Sequence, residues 1–233
     1  MSSTTPHPAS LPPNPTAPWS PLFQSHMALL SSPEFTLASL SPSNIPITST
    51  STSTASASAA VTHSARHPTP YAPRLRTLIY RGPFARLPRN KHYTPPNPPV
   101  YTSDMPTFTT DVRTSKVHEF FASSAGHGDV AQSQGSGGGG EIEACYWVKH
   151  ALTQWRIRGR AYVLGPDIDG KAGEESSGVR TVKSEIGAGM RRRDVSATTT
   201  LDADWTWAKE IEGQFGNLSP GMRGMLLNPS SQT

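Results

Sequence analysis

The stretch FTTDVRTSK, residues 108–116, gathers side chains suited to anion chemistry within one corner of the chain. Strand-forming residues run into a turn carrying Asp111, Arg113 and Lys116, and a helical pattern starts at once. A strand–turn–helix corner leaves backbone N–H groups free in the first helical turn and places the positive end of the helix dipole beside them. Arg113 and Lys116 add charged donors, and Thr110 and Thr114 add hydroxyls. Such a set suits a phosphate monoester, whose oxygens take charge-assisted hydrogen bonds. Arg76 and Arg81, on a neighbouring segment with strand character, could reach the same place. The competing reading is a solvated helix start with ordinary surface charge.

A second constellation is TQWRIRGRAYVLG, residues 153–165. Gln154, Arg156, Arg158 and Arg160 share one parity, while Trp155, Ile157, Ala161 and Val163 share the other. Period-two alternation predicts a strand with one polar face and one face against a core. The arginine row is either an exposed face with interstrand ion pairs or a binding surface, and both readings stand. Gln154 heads the row, and its amide can both donate to and accept from a heterocycle edge.

Other chemistries find little support. The eight His residues are scattered and form no complete metal-ligand set. No complete phosphate loop of the type G-x-x-x-x-G-K followed by Ser or Thr and no serine nucleophile elbow occurs. Cys145 is the only cysteine, which excludes an internal disulfide; within the apolar run ACYWV it reads as a small buried hydrophobe rather than a nucleophile. RRRD at 191–194 reads as a solvated turn.

The elements that would position these residues follow from pattern and composition. Charged residues make up 16%, below the roughly 25% usual for globular chains, and Pro is abundant at 23 in 233 residues, so ordered and disordered stretches are mixed. Residues 1–16 are a Ser/Thr/Pro-rich tail with little to bury, and disorder is expected there. Leu22, His26, Leu29 and Leu30 fall at helical spacing behind Ser20 and Pro21, an N-cap and first helical residue. FTLASLS is a short strand, PRLRTLIYRG a second and PTFTTD a third; TSKVHEFF is a helix with Val117, Phe120 and Phe121 as its apolar stripe. TSTSTSTASASAA at 48–60 has no large apolar side chain and reads as part of a low-complexity insertion, 41–70. GSGGGG at 135–140 reads as the end of a flexible loop, 123–140, and residues 165–180 as a hydrophilic loop. Trp207, Ile211 and Phe215 lie four apart on a helix, followed by a second short helix capped by Ser219 and Pro220. The sum is an α+β domain over residues 17–229, with a mostly antiparallel sheet or barrel and peripheral helices, and a tail at 230–233.

The formal net charge is +4, concentrated in one region: residues 66–116 hold nine Lys/Arg against Asp104 and Asp111. That excess suits phosphate, of a nucleic acid or of a small ligand. Interleaved Tyr80, Phe84, Tyr93 and Tyr101 would serve a nucleic-acid module, but the arginines alternate with core residues along strands rather than clustering in a tail, which argues against one. No apolar run approaches a membrane span, and no Lys or Arg precedes Arg66, which removes the basic start of a signal or transit peptide; a cytoplasmic location is expected.

In their order, RTLIYRG, FTTDVRTSK and TQWRIRG resemble the FMN-binding split barrel of the pyridoxamine 5'-phosphate oxidase-like proteins. The APW-P-L start and the FGNLSPGMRG segment of one branch also stand here, as APWSPLF and FGNLSPGMRGMLLNP. The resemblance implies an FMN-binding split β-barrel, FMN as cofactor at the interface of a homodimer, and flavin-dependent oxidoreductase chemistry on a small phosphorylated amine; an inactive or non-catalytic FMN-binding relative is the alternative. It implies that Arg76 contacts the FMN phosphate, with Thr77 and Leu78 lending backbone, and that Arg81 lies near flavin and substrate. Thr110 and Lys116 match phosphate-side positions, and Gln154 matches a glutamine at the isoalloxazine ring. Ser115 departs from the oxidases' Arg before the Lys, a place Arg113 is expected to fill. The oxidases' Tyr…Arg…Ser set for substrate phosphate finds no counterpart in residues 161–200. Family members continue past NPP with a further strand segment, so an incomplete barrel is expected.

Overall fold

The computed structural model describes residues 15–43, 71–86, 96–124, 134–169, 175–193 and 204–227. Its strands are β1 (Glu34–Pro42), β2 (Tyr71–Ile79), β3 (Tyr101–Thr102), β4 (Gly137–Val148), β5 (Thr153–Val163) and β6 (Arg191–Arg192). Its helices are α1 (Ser20–Ala28), α2 (Ser115–Ala122), α3 (Ser177–Gly189), α4 (Trp207–Gly216) and α5 (Pro220–Leu227). The main sheet has the order β2-β1-β4-β5, and β3 pairs with β6; every pairing is antiparallel. The α+β class with antiparallel strands and peripheral helices is therefore observed.

Alternation builds the core. Phe35, Leu37 and Ser39 of β1 point to the buried face, as do Ala144, Tyr146 and Val148 of β4. α1 covers that face with Phe23 and Met27, and α2 with Phe120, while Val117 and Phe121 of α2 are also buried. Tyr146 is fully buried; it stacks on Phe35 at 4.7 Å and meets Phe23 edge-on at 5.0 Å. Burial pushes the Tyr80 hydroxyl up to about 12, and Tyr146 higher still. A second cluster, Ile168, Val179 and Val182, joins α3 to Trp207 and Ile211 of α4.

Several expectations change. Gly137–Gly140 are not loop but the buried start of β4, with a register irregularity between Gly138 and Gly140. The cause is α2, which lies directly on this strand: a Cβ on Gly140 would collide with Ser123 Oγ and come within 2.8 Å of the Phe120 carbonyl oxygen. Residues 125–133 of the expected loop lie outside the described residues, as do 1–14 and 44–70, which hold the expected tail and most of the insertion.

On α1 the buried side chains are Ser20, Phe23 and Met27, whereas Leu22 and Leu29 are about half exposed, so the expected stripe was one residue, about 100°, out of phase. Pro106 makes a single bridge to Pro83 and Thr107 exchanges backbone hydrogen bonds with Arg81 and Gly82, so PTFTTD continues no ladder and is not a full third strand. Part of the expected loop at 165–180 is helical, because Ser176 caps α3 by accepting from the Val179 N–H. Arg191 and Arg192 form β6 rather than a solvated turn, and Arg191 bonds Asp104 at 2.7 Å. Cys145 faces the outer side of the sheet and is half-buried, opposite Arg156.

Candidate functional site

The corner at 108–116 is built as a self-satisfied turn followed by a helix whose start is left open. Asp111 Oδ1 accepts from the Arg113 N–H at 2.8 Å, and the Asp111 carbonyl accepts from Thr114 through both N–H and hydroxyl. Thr114 is the N-cap of α2 yet makes no side-chain capping bond, because its hydroxyl is turned to Asp111. The start of the helix therefore has no side-chain cap, and of its first N–H groups that of Val117 bonds the Thr114 carbonyl.

Lys116 sits beside this opening. Its side chain is buried, and Nζ donates to Thr110 Oγ1 at 2.7 Å and Thr114 Oγ1 at 2.9 Å. An ammonium has three donors, so one is left for a ligand. Burial lowers the Lys116 pKa, and the nearby Arg76 lowers it further. Asp111 and Glu119 offset part of this, and an anionic ligand on the ammonium would add to them.

Arg76 reaches the corner from β2. Its partner on β1 is Leu37, so its side chain lies on the α2 side of the sheet. It donates to both oxygens of Glu119, at 2.6 and 3.0 Å, and to Ser39 Oγ at 2.8 Å. Burial pushes the Glu119 carboxyl up, but the bonds from Arg76 and Ser39 outweigh it and hold it below its ordinary value. Glu119 and Ser39 were missed in the sequence, although Glu119 follows Lys116 by three residues and so lies on the same helical face. Thr77 and Leu78 are on β2, an edge strand that leaves alternate backbone groups unpaired by the sheet.

Three of the expected residues are not brought to the corner's open face. Arg113 is held by Asp111 in a two-pronged pair, which keeps the Asp111 carboxyl down at about 2. Arg81 points its guanidinium toward Met222 Sδ of α5 at 3.7 Å, and desolvation lowers its pKa. Gln154 is exposed on the opposite face of the sheet, at the far edge strand β5. Beside it the arginine row is ion-paired: Arg156 and Arg158 share Glu143, and Arg160 meets Glu141.

The donors present fit a phosphate monoester: Lys116 with a free proton, two threonine hydroxyls, an uncapped helix start and Arg76 behind them. The ring end of a flavin finds no partner from this corner alone, since Gln154 lies on the other face. No helix among the described residues is long and apolar enough to cross a membrane. No curated protein and no solved structure matches the chain. The family model described as pyridoxamine 5'-phosphate oxidase, FMN-binding domain, matches residues 16–165, which span α1 through β5 and include the whole corner, Arg76 and Gln154. The chain belongs to this family of FMN-binding domains.

Proposed function

We propose that the chain binds the FMN phosphate at the α2 corner and works as a flavin-dependent oxidoreductase of pyridoxamine 5'-phosphate oxidase type, as a homodimer. The observation that carries the reading is Lys116, clamped by Thr110 and Thr114 at an uncapped helix start with Arg76 beside it. In this reading Lys116 donates to the phosphate, Thr110 orients the ammonium, and Thr77 and Leu78 offer edge-strand backbone groups. Arg76, fixed by Glu119, supplies charge from behind. Bound FMN supplies hydride acceptance, and the protein positions it.

The opposite placement of Gln154 supports a site shared by two copies. The outer face of the sheet and its edges expose Leu75, Trp147 and Leu152, at 71%, 54% and 78%. Covering that face with a second copy would bury them and place Gln154 in the interface rather than at its own chain's corner. Arg81 and Arg113 belong to this reading as rim cations, and residues 17–229 as one domain. The pairing of Arg156, Arg158 and Arg160 with Glu141 and Glu143 favours a second reading, FMN binding without turnover, because it leaves no arginine of β5 to anchor a substrate phosphate.

Complementation between variants tests the shared site. Lys116→Met and Gln154→Ala chains should each bind FMN poorly; unfolding and refolding them together should restore about a quarter of the wild-type sites, since random pairing makes half the dimers hybrids with one intact site each. No restoration in the mixture would overturn the shared site, and full binding by the Lys116→Met chain would overturn the phosphate assignment.

A further inference from the structure

Between the inward face of the sheet and helices α3 and α4 lies a cavity of about 690 Å³, within the size range of small-molecule sites. Phe35, Leu37, Ile157, Ile186, Ile211 and Phe215 make its walls mainly apolar. Of the corner stretch 108–116, Phe108, Thr109 and Thr110 reach this wall from their strand-like end; Arg76, Lys116 and Gln154 do not.

The charges around the cavity are unequal. Arg158 and Arg160 border it, but their guanidinium groups bond Glu143 and Glu141 on the outer face. Asp104 and Arg191 neutralise each other at 2.7 Å. Glu210 is 2% exposed; it accepts from the Ala85 N–H at 2.9 Å and from Asn97 Nδ2 at 3.3 Å, and pairs with no cation among the described residues. Burial holds its carboxyl above the ordinary range, the response of a carboxylate without a compensating charge. The walls also hold buried polar atoms without hydrogen-bond partners: Thr109 Oγ1, Gln214 Oε1 and the hydroxyl of the fully buried Tyr146. An unsatisfied buried polar atom is costly, and each of these can accept a hydrogen bond.

We propose that this cavity is a second binding site, separate from the cofactor corner, for a small apolar-bodied primary amine, its hydrocarbon or aromatic part against the apolar walls and its ammonium toward Glu210. The wall has acceptors to offer, the buried carboxylate of Glu210 and the exposed carboxylate of Glu185, neither ion-paired among the described residues, so an ammonium with three donors complements it while a carboxylate or phosphate does not.

The test uses the full chain at pH 8, with and without saturating FMN, and two probes of similar size: 1-naphthylmethylamine and 1-naphthylacetate. Calorimetry should show one amine bound per chain in both states, and the carboxylate bound about tenfold or more weakly. Glu210→Gln should erase this preference, and Ile157→Trp, which fills the cavity, should weaken both probes. If Ile157→Trp does not fold by circular dichroism, Ile211→Phe gives the same reading from α4. Equal affinity for the two probes, no heat from either, an amine preference that survives Glu210→Gln, or loss of amine binding when FMN is present would each overturn the proposal.

Discussion

Replacing Arg76 by Met should destabilise the FMN-free chain in a way that depends on pH. Arg76 makes two hydrogen bonds to Glu119 and one to Ser39, and the Glu119 side chain is only 5% exposed. Removing the guanidinium leaves a buried carboxylate with Ser39 as its remaining partner, a change that typically costs about 3–5 kcal/mol. The carboxylate has an escape, because it can take a proton. At pH 7 neutralising a carboxyl of ordinary pKa near 4.3 costs about 3.7 kcal/mol, which caps the penalty, and at pH 5 the same escape costs only about 1 kcal/mol. Stability from a depressed carboxyl is present above its unfolded pKa and lost as pH falls, so wild type and Arg76→Met should converge toward acid. Urea unfolding at pH 7 and pH 5 measures both differences. The double variant Arg76→Met/Glu119→Leu should recover most of the loss, since an apolar pair replaces a buried ion pair at little cost. A loss under about 1 kcal/mol at pH 7, or one that does not change with pH, would refute this account of the pair.

Two further outcomes follow from the same packing. Gly140→Ala should destabilise the chain by about 1–3 kcal/mol, because the new methyl meets the backbone of α2 at Phe120 as well as the Ser123 hydroxyl; thermal unfolding of the variant checks it. Asp111, held down at about 2 by Arg113, contributes stability above its unfolded pKa near 3.9 that fades as pH falls toward 2; Asp111→Asn should flatten that part of the acid unfolding profile.

What could be read in the sequence was whatever the chain repeats locally. Strand β5 was legible because Trp155 and Ile157 alternate with Arg156 and Arg158, and α2 because Val117, Phe120 and Phe121 make one stripe. The start of β4 was hidden because its glycines are dictated by a helix some twenty residues earlier in the chain, a contact that no local pattern records. Helix α3 has few apolar residues, and its buried Val179 and Val182 match one another only three apart inside a polar stretch. At the site, Lys116, Thr110 and Arg76 were identifiable by type and order. Their partners were not: that Arg76 turns to Glu119, Arg113 to Asp111 and Arg81 to Met222 depends on tertiary neighbours. Period two did put Gln154 with the arginines, and the face opposite Arg76 follows from the sheet order rather than from the strand itself.

The difference between FMN and riboflavin isolates the phosphate that the α2 corner is proposed to hold. Flavin fluorescence titrations should compare the wild-type chain with Lys116→Met for both ligands. A charge-assisted hydrogen bond lost to the phosphate predicts FMN binding weaker by about tenfold or more, with riboflavin affinity little changed. Equal losses for FMN and riboflavin, or no loss for FMN, would contradict it.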